Sequence, residues 1–152
     1  MHRRLQRCEQ WNSGFHSLHA PPRILAVDDH HETLEVVATL LTLRGYWVAV
    51  ASDGASAIMA CGNFEPDLLL LDITLPDMSG TTVLRTLRST GTTSPAIALT
   101  ALAFEADNRV YRDAGFDALC AKPADIEHLL RIVRDLVRPR TGVLAFHGSL
   151  MS

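Results

Sequence analysis

The sequence predicts an α/β fold, a doubly wound (βα)5 domain on a parallel sheet, and three observations predict it. Strand-like apolar runs and amphipathic helical stretches alternate five times. The strand-like runs are apolar throughout instead of alternating with polar residues, as in parallel strands covered on both faces. The chain has 152 residues, 47% hydrophobic and 20% charged, which suffices for one such domain with short tails.

Residues 1–22 read as a disordered extension, ended by Pro21–Pro22. RILAV (23–27) is the first strand. The helix after it carries Leu34, Val37, Ala38 and Leu41 at helical spacing and stops at Gly45. YWVAV (46–50) is the second strand, and Tyr46 and Trp47 are read simply as strand residues. Asp53 caps a second helix through Ala57, Ile58 and Cys61, ended by Gly62–Asn63. DLLLL (67–71) follows Pro66 as the third strand. Ser79–Gly80 opens a helix with Val83, Leu84 and Leu87 inward. PAIAL (95–99), a helix from Phe104 to Ala114, DALCA (117–121) and a last helix from Asp125 to Val137 complete the series. Residues 138–152 are expected to be a tail, too short for an output domain.

The formal net charge of −3 argues against nucleic-acid binding as the main task, and no nucleic-acid partner is expected. Residues 1–22 hold three Arg and one Glu, so +2, and the remainder sums to −5. No apolar run approaches the roughly 20 residues that span a bilayer, and the N-terminal stretch lacks the continuous apolar core of a secretory signal. Cys8, Cys61 and Cys120 are too few and scattered for a disulfide framework, and point to a reducing cytoplasm.

The polar residues fall at the carboxyl ends of the strands. Asp28 and Asp29 follow the first, Asp72 the third, Thr100 the fourth and Lys122 the fifth. In open α/β sheets ligands bind outside those ends, where the strand order reverses. With the order 2-1-3-4-5 that point lies between strands one and three, bringing Asp28 and Asp29 beside Asp72. Three adjacent carboxylates repel one another unless a cation joins them, and an all-oxygen set suits Mg²⁺. A nearby hydroxyl and lysine suit a phosphoryl group, and a carboxylate can be the nucleophile that accepts one. Lys122 is the only lysine among fourteen Lys and Arg residues, so this position needs a compact ammonium on a flexible stem. Singly, each residue has a plainer reading: Asp28–Asp29 as helix caps, Asp72 as a turn former, Thr100 as a strand end, Lys122 as a solvated charge. His30 and His31 could ligate a metal beside the aspartates, but are read as a surface pair at a helix start.

VDDHH, LLLLDITLPDMSG, ALTA and CAKP, in this order and spacing, resemble the receiver domain of two-component response regulators over about residues 23–137. The resemblance implies a flavodoxin-like three-layer sandwich and a CheY-like phosphoacceptor, Asp72. It implies Mg²⁺ held by Asp29, Asp72 and the Thr74 backbone carbonyl, with Asp28 acting through water. Thr100, the Ala101 backbone N–H and Lys122 would contact the phosphoryl oxygens, and Lys122–Pro123 would be a cis peptide. The family often carries Tyr or Phe three residues before the lysine, as a rotating switch coupled to the threonine. Leu119 stands there and has no hydroxyl to swing, which resembles receivers of phosphorelays.

On the first helix Val36, Leu40 and Leu43 share a second apolar face. They are either scattered surface hydrophobes or a docking surface for a histidine kinase or histidine phosphotransfer protein. The leading expectation is a stand-alone phosphorylation switch or relay intermediate, catalysing only its own phosphotransfer and dephosphorylation. Homodimerisation through the fourth helix, fifth strand and fifth helix would follow from a response on that face. One alternative is a Mg²⁺-dependent phosphatase with an aspartyl-phosphate intermediate. The haloacid dehalogenase type wants Asp two residues after the nucleophile, where this chain has Thr74. The other alternative is an interaction module inert to phosphorylation.

Overall fold

Five parallel strands form one sheet in the order β2-β1-β3-β4-β5, with helices on both faces. The computed structural model describes residues 20–101, 108–122 and 125–137. The elements run β1 Arg23–Val27, α1 His31–Leu43, β2 Trp47–Ala51, α2 Gly54–Phe64, β3 Leu68–Asp72, α3 Gly80–Ser89, β4 Ala96–Thr100, α4 Asn108–Ala114, β5 Ala118–Ala121 and α5 Ile126–Leu136. The expected extension at 1–22, apart from its last three residues, the start of the fourth helix at Phe104, Pro123 of the Lys122–Pro123 peptide and the tail at 138–152 lie outside the described residues.

Strand alternation divides the core into two layers. Leu25, Val27, Leu69, Leu71, Ala96 and Ala98 pack with Ala57, Cys61, Val83, Leu84 and Leu87 on the α2–α3 face. Ile24, Ala26, Leu68, Leu70, Ile97 and Leu99 pack with Leu34, Val37, Leu41, Leu129, Leu130 and Val133 on the α1–α5 face. Leu68, Leu69, Leu70 and Leu71 are all fully buried, as a central strand with helices on both sides requires. Complete burial of one such side chain stabilises by about 1.5–3 kcal/mol, so the four together outweigh the several kcal/mol cost of seating one carboxylate at their end.

Three strand boundaries move one residue later than expected, so Asp72 and Thr100 close β3 and β4 from inside the sheet. Asp53 caps α2 as expected, its Oδ1 accepting from the Ser56 amide at 2.7 Å. Gly62–Asn63 do not end that helix, which continues to Phe64. Pro66 disfavours the right-handed conformation at Glu65, which turns left-handed (φ 51°) and closes the helix there. The aspartates after β1 do not cap α1. His30 holds the N-cap position, with no side-chain cap bond, which leaves both carboxylates for other partners.

Candidate functional site

The register explains why distant residues meet. Val27 pairs with Leu71, which puts Asp28 beside Asp72 at the end of adjacent strands. Asp28, Asp72 and Lys122 continue the alternation of Ala26, Leu70 and Cys120, all on the α1–α5 face. β5 is two strands from β3, ~9.5 Å at ordinary sheet spacing, so a long stem is needed to return across β4. The extended Lys122 stem from one side and the Asp72 and Asp28 side chains from the other close that gap. Its Nζ donates to Asp72 Oδ2 at 2.7 Å and to Asp28 Oδ2 at 3.0 Å. The lysine backbone is anchored as well, its amide donating to the Thr100 carbonyl at 2.9 Å.

The remaining carboxylate oxygens face backbone amides. Asp72 Oδ1 accepts from the Thr74 N–H at 2.9 Å, and Asp28 Oδ1 from the His30 N–H at 2.9 Å. Asp28 and Asp72 are only 2% and 3% exposed. Burial raises the Asp28 carboxyl, but the His30 amide and Lys122 outweigh it and hold the group below its ordinary value. Asp72 goes the other way. Its burial, with the Asp28 charge added, prevails over Lys122 and the Thr74 amide and pushes its carboxyl up. Burial lowers Lys122, yet its bonds to Asp72 and Asp28 leave the ammonium above its ordinary value.

Asp29 is more exposed and completes the acidic group. One ligand atom from each of Asp28, Asp29, His30 and Asp72 lies within 4.8 Å of all the others. Three carboxylates against a single ammonium leave an excess of negative charge in a crevice buried at Asp28 and Asp72 and open at Asp29 and His30, which fits a divalent cation that keeps some of its water.

Thr100 is buried at the end of β4, level with Ala121 of β5. Leu119 is half-buried opposite Ala98 and packs against the α2–α3 core layer. Ala101 is exposed just beyond β4, and Thr74 forms an isolated antiparallel bridge with Ser79. Of the second apolar face of α1, Val36 (52%) and Leu43 (57%) are exposed and Leu40 is half-buried.

Two residues of this edge escape a reading of the sequence. His30 is exposed, as a surface histidine at a helix start should be, and its Nδ1 also stands 3.3 Å from Asp28 Oδ1 and 3.2 Å from Asp29 Oδ1. The VDDHH string held that signal, but without the direction of the side chain. Asp77 accepts from the Gly54 and Ala55 amides at 2.7 and 2.9 Å, tying the loop after β3 to the start of α2. Those amides hold its carboxyl below the ordinary range. No local pattern announces it, because its partners lie 22 and 23 residues away.

Comparison with known proteins gives one consistent family. The profile described as "Response regulator receiver domain" matches residues 24–134. A probable transcriptional regulatory protein of Mycobacterium tuberculosis, TcrX, is 41% identical over 81% of this chain and 52% of its own. Response regulator MprA of Mycobacterium leprae is 40% identical over 76% of this chain and 51% of its own. The chain thus spans about half the length of the curated relatives it matches. One of these is named for transcription, so the expectation of no nucleic-acid partner gains no support from them. Among solved structures, chemotaxis protein CheY4 of Vibrio cholerae superposes with a TM-score of 0.74 at 25% identity, covering 78% of this chain and all (100%) of that one. A CheY-like receiver domain protein from Methanospirillum hungatei gives 0.71 at 30% identity, over 76% of this chain and 92% of that one. No helix among the described residues is long and apolar enough to cross a membrane.

Proposed function

The chain belongs to the response regulator receiver domain family of two-component signalling, and from that premise we propose that Asp72 accepts a phosphoryl group from a phosphohistidine on a partner. One observation carries this reading: Lys122 Nζ lies between the buried carboxylates of Asp72 and Asp28, at 2.7 and 3.0 Å. A carboxylate on a rigid strand end, with an ammonium already at one of its oxygens, is an oriented nucleophile beside a charge that can receive the incoming group.

In the proposed transfer an Asp72 oxygen forms a bond to phosphorus. The phosphorus–nitrogen bond of the donor breaks, and its electron pair returns to the partner's imidazole. Lys122 moves its hydrogen bond from the carboxylate to the phosphoryl oxygens. The Thr100 hydroxyl and the Ala101 amide take the others. Receiver domains bind Mg²⁺ at an acidic pocket, and here Asp28, Asp29, Asp72 and the Thr74 carbonyl would hold it, its charge offsetting that of the phosphoryl group. Hydrolysis or onward transfer removes the group again. We place the phosphoacceptor unit at residues 23–137, acting as a switch or a relay intermediate.

Receiver domains are phosphorylated by histidine kinases. The half-exposed row Val36, Leu40 and Leu43 on α1 is the proposed docking face for a kinase or histidine phosphotransfer helix. The face of α4, β5 and α5 is the proposed site of response and of homodimerisation. Leu119 brings no aromatic hydroxyl to that response, so the usual threonine–aromatic coupling does not carry it. The direct test is incubation with acetyl phosphate and Mg²⁺, read by intact mass. A single phosphoryl adduct is expected on the wild type and not on Asp72→Asn. The same adduct on both proteins would refute the assignment.

A further inference from the structure

We propose that His30 is a nitrogen ligand of the divalent-cation site at the carboxyl edge of the sheet, shifting its preference from Mg²⁺ toward first-row transition cations such as Co²⁺. The inference rests on the reading of that edge as the receiver's cation site, and adds a donor of different chemistry to it.

The distances are those of ligands around a common centre. His30 Nδ1 is nearly equidistant from Asp28 Oδ1 (3.3 Å) and Asp29 Oδ1 (3.2 Å). The contact with Asp28 is within hydrogen-bond reach of an Nδ1–H, but both distances are longer than the ~2.7–2.9 Å of a strong charge-assisted bond. Neighbouring donors about an octahedral cation with ~2.1 Å bonds stand ~3.0 Å apart, and opposite ones ~4.2 Å. The limit of 4.8 Å that encloses the four ligand atoms of Asp28, Asp29, His30 and Asp72 fits that span after a small contraction.

The imidazole is also delivered from a fixed backbone. His30 is the N-cap of α1, in extended conformation (φ −85°, ψ 102°), so its side chain leaves before the helical turn begins. Its amide is held by Asp28 Oδ1 at 2.9 Å. The ring is 71% exposed, which leaves the outer side of the site open to water ligands. His31, the first residue of α1, is not part of the group.

Chemistry then sets the preference. Oxygen donors alone suit Mg²⁺, whereas a neutral imidazole adds affinity for Co²⁺, Ni²⁺ or Zn²⁺ and little for Mg²⁺. Coordination through Nδ1 requires the proton on Nε2. The other tautomer would donate Nδ1–H to the carboxylates and leave an all-oxygen site, so the two arrangements differ by an observable proton.

The test uses the full chain. Calorimetric titration with Co²⁺ and with Mg²⁺ gives an affinity ratio for the wild type and for His30→Ala. The ratio is expected to fall about tenfold or more in the variant, the scale on which metal sites respond to loss of a supporting group. Proton NMR of the Co²⁺-loaded wild type should show a strongly shifted, exchangeable Nε2–H resonance that His30→Ala lacks. Equal ratios in the two proteins, or a shifted resonance that survives the substitution, would overturn the proposal. Adduct formation on wild-type Asp72 with Mg²⁺ is a separate measurement. If it succeeds while the ratios are equal, the role of His30 fails and the phosphoacceptor reading stands.

Discussion

Asp72 and Asp28 bury two carboxylates side by side, with the Lys122 ammonium bridging them. The site is therefore held ready at some cost to the fold. The Asp72 carboxyl is pushed up, so the folded state binds its proton more tightly than the unfolded state does. Its contribution to stability is thus greatest below the ordinary Asp value and is lost as pH rises through the raised folded value. Asn carries no charge to bury, so Asp72→Asn should be more stable than the wild type at neutral pH in chelator, by about 1 kcal/mol, and the difference should shrink in acid. Urea midpoints at several pH values check this. Lys122→Ala removes the shared cation from two buried anions. A cost of about 2 kcal/mol at neutral pH is expected, set below the usual figure for a buried pair because the ammonium is partly solvated. Adding Asp28→Asn should recover much of that loss, and a double-mutant cycle in urea measures the recovery.

The element that serves the site most directly is the turn from β3 into α3. Its glycine has a reason that packing makes plain: a Cβ at Gly80 would lie 2.3 Å from the Asp72 carbonyl oxygen. The Gly80 amide donates to the Ile73 carbonyl at 2.8 Å, locking the start of the helix onto the strand end. Gly80→Ala should cost about 2–3 kcal/mol by forcing backbone apart and should also slow phosphorylation, since the displaced atoms belong to Asp72. Thermal denaturation and the initial rate of adduct formation measure both effects. Ser79 supports the same junction by accepting from the Thr82 amide at 3.1 Å. Both residues were legible as a helix start, because Ser-Gly before an apolar periodicity is a strong local signal. The end of α2 was not legible. Gly62 has open space around it and keeps a helical conformation, so its stop signal yields to Pro66 four residues on.

Across the whole molecule, five apolar runs specified five strands, and the acids at their ends marked the edge where a ligand crevice forms. Asp28, Asp29, Asp72 and Lys122 meet there as their positions in the chain implied. The geometry that distinguishes this edge was hidden for a physical reason. Sequence spacing gives the face of a strand, but not the rotamer of a loop side chain such as His30 or the distant amides that Asp77 holds. The domain's response should also be a property of the whole. Sedimentation with and without a phosphoryl mimic should show a gain in mass if the α4–β5–α5 face pairs two copies, and an unchanged mass would remove that proposal.

The carboxylate ending the leucine strand is the proposed nucleophile. After incubation with acetyl phosphate and Mg²⁺, borohydride reduction converts an aspartyl phosphate to homoserine, which peptide sequencing can place. A nucleophilic Asp72 yields homoserine at position 72 and nowhere else. Homoserine at another aspartate, or none in a protein that carries the phosphoryl adduct, would contradict it.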